Sequence, residues 1–254
     1  MKRKKILLCI LLTAALLAGC NARSVTPLAV GVPTEINGKE FTITTEQAYP
    51  DDDEILAVNA IYGDQTLKLD ESLEVKGVYE VVQKDGTYML TETGTFNDWR
   101  VVYLLRADAK EITETDVIDG SLGDMPKNPE DGFSITSKID VLGSYGGTRT
   151  YTIENGCFVT DSTLYEFRGT PDGYRPVLTV TGEISCRIEG GSTELKPGDV
   201  ITPTAYSEDG VFYFEREDGT PGSFQVDLDG EGNYAYTIGG VDENELFESL
   251  PYAG

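Results

Sequence analysis

Apolar and polar residues alternate in short runs along most of the chain, and each run is closed by residues that let the backbone reverse. Asp-Gly occurs at Asp85, Asp119, Asp131, Asp172, Asp209, Asp218 and Asp229, and Asn-Gly at Asn37 and Asn155. These pairs tolerate the positive φ of tight hairpin turns. Gly77-Val78-Tyr79-Glu80-Val81-Val82, a turn around Lys84-Asp85-Gly86, and Thr87-Tyr88-Met89-Leu90-Thr91 predict one hairpin. Trp99-Arg100-Val101-Val102-Tyr103-Leu104-Leu105 is apolar enough for a central strand. Leu73, Val75, Val101 and Leu105 are the expected core there. Long helical periodicity is absent, so the pattern predicts an all-β protein.

The alternation breaks at Asp124-Met125-Pro126-Lys127-Asn128-Pro129-Glu130-Asp131-Gly132, where prolines, glycine and acids replace any apolar repeat. The expected organisation is therefore a β domain over 34–124, a linker over 125–132 and a second β domain over 133–254. In the second, Val177–Val180 and Ile184–Arg187 flank Thr181-Gly182 as a further hairpin. Near the C-terminus Asp242 can cap a short helix with Glu245 reaching back, which would pack Leu246, Phe247 and Leu250 onto a barrel.

The first residues follow another logic. Lys2, Arg3, Lys4 and Lys5 form a cationic run, and Ile6–Leu17 an apolar one of about a dozen residues. That is short of the ~20 needed to span a bilayer, so it reads as an export signal rather than a permanent span. Leu17-Ala18-Gly19-Cys20 resembles the lipobox of bacterial lipoproteins. The resemblance implies cleavage before Cys20 and a diacylglycerol thioether on its sulfur, two acyl chains being enough for stable anchoring. The alternatives are an ordinary signal peptide with an incidental cysteine, or a short uncleaved anchor. Residues 20–33, small, polar and proline-bearing, are the expected flexible tether, and the expected location is the extracytoplasmic face of the cell membrane.

Two wider resemblances follow. Leu195-Lys196-Pro197-Gly198-Asp199, the strand Val211–Phe214, Asp218-Gly219 and the strand Ser223–Val226 resemble the ordering of bacterial SH3-like small barrels over Val177–Asp227. Wall-targeting members carry a tryptophan after the glycine of the last hairpin, whereas here Gly222 is followed by Ser223 and Phe224, so a wall-peptide groove does not carry over. The tail, with Phe133-Ser134-Ile135 and Leu142-Gly143-Ser144-Tyr145, resembles a group of Firmicutes surface lipoproteins. That resemblance implies location and architecture, and no activity.

Composition narrows the chemistry. Net charge is −24, and removing Lys2–Lys5 with the signal takes it near −28. So acidic a surface repels phosphate backbones and anionic lipid headgroups, which argues against nucleic acid as a partner and leaves cations and basic partners open; the expected partner is an envelope protein, peptide or glycan. Histidine is absent, which excludes Ser-His-Asp and Cys-His catalysis and histidine-ligated zinc. A glycosidase-like carboxylate pair remains as a histidine-free hydrolytic mechanism, but no motif marks one. Of four cysteines, Cys9 leaves with the signal and Cys20 takes the lipid. Cys157 and Cys186 could then pair, closing a loop worth about 3–4 kcal/mol, or stay as separate thiols.

No cofactor is called for, except that Asp227, Asp229, Glu231 and Asn233 alternate oxygen side chains with glycines and could curl around Ca²⁺. The twelfth position of an EF-hand loop begun at Asp227 is Ile238, so an EF-hand is excluded, and a plain hairpin turn competes with the calcium reading. Asp51-Asp52-Asp53-Glu54 reads as a solvated acidic loop. Tyr206 and Tyr213 are candidate ligand-stacking rings beside Phe212 and Phe214, with alternation placing Tyr213 on the face opposite both phenylalanines. The sum is a non-catalytic, lipid-anchored binding or scaffolding protein, with a calcium-stabilised adhesion module and a glycan hydrolase as alternatives.

Overall fold

The structure, a computed structural model, describes residues 23–49, 52–69, 73–95, 99–169, 175–228 and 236–252; the signal segment and Cys20 lie outside them. The fold is all-β, as the alternation predicts. The chain forms two compact units. The first takes the described residues up to Ile118 together with Asp124–Phe133 and Thr152–Phe158, and the second takes Asp119–Gly123, Ser134–Tyr151 and the chain from Val159 onward.

The first unit contains two sheets. One has the order β1-β6-β7-β8-β9, made of β1 (Ser24–Pro27), β6 (Glu74–Val82), β7 (Thr87–Gly94), β8 (Arg100–Ala107) and β9 (Ile112–Asp119). The other is a meander of β2 (Thr34–Ile36), β3 (Lys39–Tyr49), β4 (Asp52–Tyr62) and β5 (Gln65–Leu69). Ile36, Phe41, Ile43, Val58, Ala60 and Tyr62 of the meander share a core with Val78, Met89, Tyr103 and Leu105 of the first sheet. At roughly 1.5–3 kcal/mol per fully buried large apolar side chain, this core outweighs the exposed ion pairs, each worth about 0–1 kcal/mol. Leu105 is fully buried, and Val75 and Val101 pack at the margin of the core. The β2–β3 turn runs through Asn37 (φ 49°) and Gly38 (φ 80°), the double positive φ that Asn-Gly accepts.

Two expectations about organisation need correction. Residues 125–132 are not a free linker: Pro129–Asp131 form a 3-10 turn in the first unit, Asn128 accepts from the Glu130 amide, and Pro129 is buried. Nor is 20–33 a tether throughout, because Ser24–Pro27 is the edge strand β1, in antiparallel register from Ser24↔Val82 to Pro27↔Tyr79. Main-chain pairing with β6 needs no apolar face, and Pro27 is tolerated on an edge strand. The acidic run also falls differently, since Asp52–Glu54 open β4.

The remaining strands are β10 (Ser121–Leu122), β11 (Phe133–Asp140), β12 (Ser144–Glu154), β13 (Cys157–Val159), β14 (Leu164–Phe167), β15 (Leu178–Thr179), β16 (Ile184–Ile188), β17 (Gly191–Leu195), β18 (Val200–Ser207), β19 (Val211–Arg216) and β20 (Pro221–Gln225). They form one sheet in the order β10-β11-β12-β14-β18-β19-β20-β16-β17, with β13 on β12 and β15 on β18. β21 (Asp227–Leu228), β22 (Tyr236–Ile238) and β23 (Val241–Asp242) make a small separate sheet that leads into α1 (Glu243–Leu246). The strands expected in an SH3-like barrel lie in the large sheet, and the described strands close no barrel.

Phe212 and Phe214 point inward with Phe224, Leu178, Ile184 and Leu195, and Leu246 and Phe247 of the helical tail cover the same core. Asp242 caps α1 by accepting from the Asn244 amide at 2.8 Å. The hairpin expected across Thr181-Gly182 does not form, because β15 pairs with β18 while β16 pairs with β17 and β20. The tail takes that position instead: the Thr181 amide donates to the Leu246 carbonyl, and a Cβ on Gly182 would meet Leu246 Cδ2 at 2.7 Å.

Candidate functional site

Alternation along β16 to β20 buries one set of side chains and leaves the other outward. In β19, Phe212 and Phe214 are buried and Tyr213 is 36% exposed, as predicted. Tyr213 stands opposite Ser223 of β20, Ser223 opposite Arg187 of β16, and Arg187 opposite Ser192 of β17. One lateral row, Tyr213-Ser223-Arg187-Ser192, therefore crosses four strands on the outward face.

The row borders a groove created by strand divergence. β16 and β20 pair at Arg187↔Ser223 and Ile188↔Gly222, and the ladder stops there. Gly222 makes the close pairing possible, since a Cβ there would lie 2.5 Å from the Phe214 ring and 3.2 Å from the Arg187 carbonyl. Beyond Arg187 a cleft of about 300 Å³ opens, with Ser185, Ser192, Ser223 and Gln225 as polar walls, Val211 at the side, and Cys186 and Phe224 at its base.

The electrostatics of the groove differ from those of the chain as a whole. Arg187 is exposed, and among the described residues it makes no ion pair, whereas Arg149, Arg100 and Arg216 each hold a carboxylate. Glu194, directly across from Ser185, stands at the margin. Together, a guanidinium can bind a carboxylate bidentately, three serines can donate to and accept from hydroxyls, and a tyrosine ring can stack on a sugar ring or planar group.

The other expected sites fare differently. Tyr206 and Tyr213 are not brought together: past a bulge between Pro203 and Ala205, Tyr206 stands opposite Phe212 and packs against the core, where burial raises its pKa. Cys157 and Cys186 are both free; Cys157 is exposed, while Cys186 is buried in β16, where desolvation pushes its thiol up and it serves as a small core side chain. Of the calcium candidates, Asp227 is exposed in β21, which pairs with β22 as a hairpin, and Asp229, Glu231 and Asn233 lie outside the described residues. Among the described residues no group of three or more acidic or cysteine side chains gathers as a metal site.

Among the described residues the two buried carboxylates are each tied to a partner. Glu92 is held by Arg100 at 2.8 Å in the first unit, and Glu243 accepts from the Tyr252 hydroxyl at 2.8 Å in the second. Arg149, buried in β12, is a structural pin: it stacks 3.4 Å from the Tyr165 ring centroid, pairs with Glu208 and donates to the Thr163 carbonyl. Arg187 and the serines escaped sequence reading because no motif links them; strand register alone puts them in a row, and Tyr213 was the one member with a visible signal. Compared with protein-family models, with curated proteins and with solved structures, the chain matches none of them.

Proposed function

We propose that the chain is a lipoprotein, cut before Cys20 and held on the extracytoplasmic face of the cell membrane by lipid on that cysteine. It acts there as a non-catalytic binding protein whose groove on β16–β20 takes an acidic glycan. The anchor reading rests on the cationic run, the short apolar stretch and Leu17-Ala18-Gly19-Cys20. The binding reading rests on one observation, Arg187, which makes no ion pair among the described residues, set between Ser192 and Ser223 in a row that ends on the exposed Tyr213 ring.

In this reading Arg187 holds a uronate-type carboxylate, the serines and Gln225 meet ring hydroxyls, and Tyr213 supplies the stacking face. The test is a titration with uronate-containing oligosaccharides, neutral oligosaccharides and acidic peptides. Wild-type protein should prefer the uronates, Arg187→Ala should lose about tenfold or more in affinity, as loss of a charge-assisted bidentate contact implies, and Tyr213→Ala should weaken binding less. Unchanged binding in Arg187→Ala would sink the groove, and a Cys20→Ser chain that still fractionates with membranes would sink the anchor.

A further inference from the structure

We infer that one end of the first unit lies against the lipid headgroups: the end carrying Arg23, the β6–β7 turn at Gln83–Asp85 and the β12–β13 turn at Asn155. This rests on the lipid anchor proposed above and adds which surface meets the bilayer. Three residues, Asn21 to Arg23, separate Cys20 from Ser24, where β1 begins. An extended chain spans at most about 3.3–3.6 Å per residue, so the lipidated sulfur is within roughly 15 Å of the sheet. The folded unit therefore has no long leash, and its anchored end is decided by the register of β1.

That register is explicit. Ser24 pairs with Val82, the last residue of β6, and Val82 pairs with Thr87 across the β6–β7 turn. Arg23, one residue before the strand, forms an ion pair with Glu130 of the 3-10 turn. The β6–β7 turn is held as well: the Gln83 amide donates to the Gly86 carbonyl, and the buried Tyr88 donates its hydroxyl to Asp85 at 2.9 Å. Burial and the adjacent Asp85 push the Tyr88 pKa up to about 12, so this contact stays protonated throughout the physiological range. Arg23, Lys84, Asp85, Glu130, Glu154 and Asn155 line one open cleft of about 420 Å³ at this end.

The chemistry of this end fits a zwitterionic lipid surface. Arg23 and Glu130 neutralise each other in their ion pair, Lys84 is left to meet phosphates and Asp85 and Glu154 to meet ammonium groups, and this small net charge limits the repulsion that the rest of this acidic chain would meet at an anionic surface. The sheet carries its own distal marker. Trp99, the sole tryptophan, follows Gly94 at the other end of β7, where Gly94 pairs with Arg100 and Glu74. The seven residue steps from Thr87 to Gly94 span about 23 Å at 3.3 Å per residue.

The test uses the full lipidated chain in phosphatidylcholine vesicles that carry a nitroxide quencher on the headgroup. Trp99 should be barely quenched, while Lys84→Trp in a Trp99→Phe background should be quenched at least about twofold more strongly, because the two positions lie at opposite ends of β7, about 23 Å apart along the strand. Both positions are exposed, so neither change disturbs a core. Equal quenching at the two positions, or stronger quenching at Trp99, on protein whose mass shows the diacylglycerol adduct on Cys20 overturns the orientation and leaves the anchor standing. A mass without that adduct overturns the anchor reading, and the orientation falls with it.

Discussion

The two units bury their apolar residues in different ways. The first faces two sheets across a largely aliphatic core and ties them with side chains that bond to main chain. Gln65 donates to the Ile112 carbonyl at 2.7 Å and accepts from the Ile112 amide at 2.9 Å, and the Tyr62 hydroxyl bridges the carbonyls of Ile36 and Asp108. The second wraps one sheet and a helical tail around rings: Tyr145 stacks on Phe167 at 4.4 Å, and Phe212 stacks on Phe224 at 5.4 Å. A sandwich can hold register through polar ties at its edges, whereas a core built around rings depends on the volume of a few large side chains.

The largest expected effect follows from that dependence. Phe212 is fully buried and touches Tyr145, Phe167 and Phe224, so Phe212→Ala should cost about 3–5 kcal/mol. The loss should appear in the second unit's unfolding transition, followed by far-UV circular dichroism. Trp99 fluorescence, which reports the first unit, should keep its midpoint; if both fall together, the units are not independent and the comparison breaks.

A smaller effect tests the polar ties. Gln65→Ala removes both bonds to Ile112 and leaves its main chain unpaired, a loss of about 1–3 kcal/mol. Here the Trp99 midpoint in urea should move and the second unit's should not.

The smallest concerns Glu243, whose pKa burial raises against the lowering effect of its bond from Tyr252. The folded chain thus holds this proton more tightly than the unfolded one. Its contribution is fully present below the ordinary glutamate range and is lost as pH climbs through the raised folded value. Glu243→Gln should therefore melt higher than wild type at neutral pH, with the gap closing as pH falls into the ordinary glutamate range. A constant gap across that range would assign the effect to packing instead.

Much of the strand pattern was legible from sequence because its signals are local. Asn37-Gly38 and Asn155-Gly156 both take the double positive φ their chemistry favours, and Phe212, Tyr213 and Phe214 alternate as their spacing demands. Where the reading went astray, the deciding partner was distant or carried no side-chain pattern. β1 looked like a tether because main-chain pairing to β6 asks nothing of its side chains. Thr181-Gly182 looked like a hairpin turn because Glu245, whose carbonyl accepts from the Thr181 hydroxyl, is 64 residues away. The groove was invisible for a related reason: Arg187, Ser192, Ser223 and Tyr213 sit on four strands, and register assembles them.

The short β1 strand also determines how the molecule carries mechanical load. Ladder hydrogen bonds lie perpendicular to the strands. A pull applied to Ser24 along β1 loads the four pairs from Ser24↔Val82 to Pro27↔Tyr79 together, in shear, and does not peel them one at a time. A lipid held at Cys20 would transmit membrane drag to the first unit in this resistant geometry. The exposed ion pair from Arg23 to Glu130, just ahead of the strand, is too weak to share that load, so the ladder bears it.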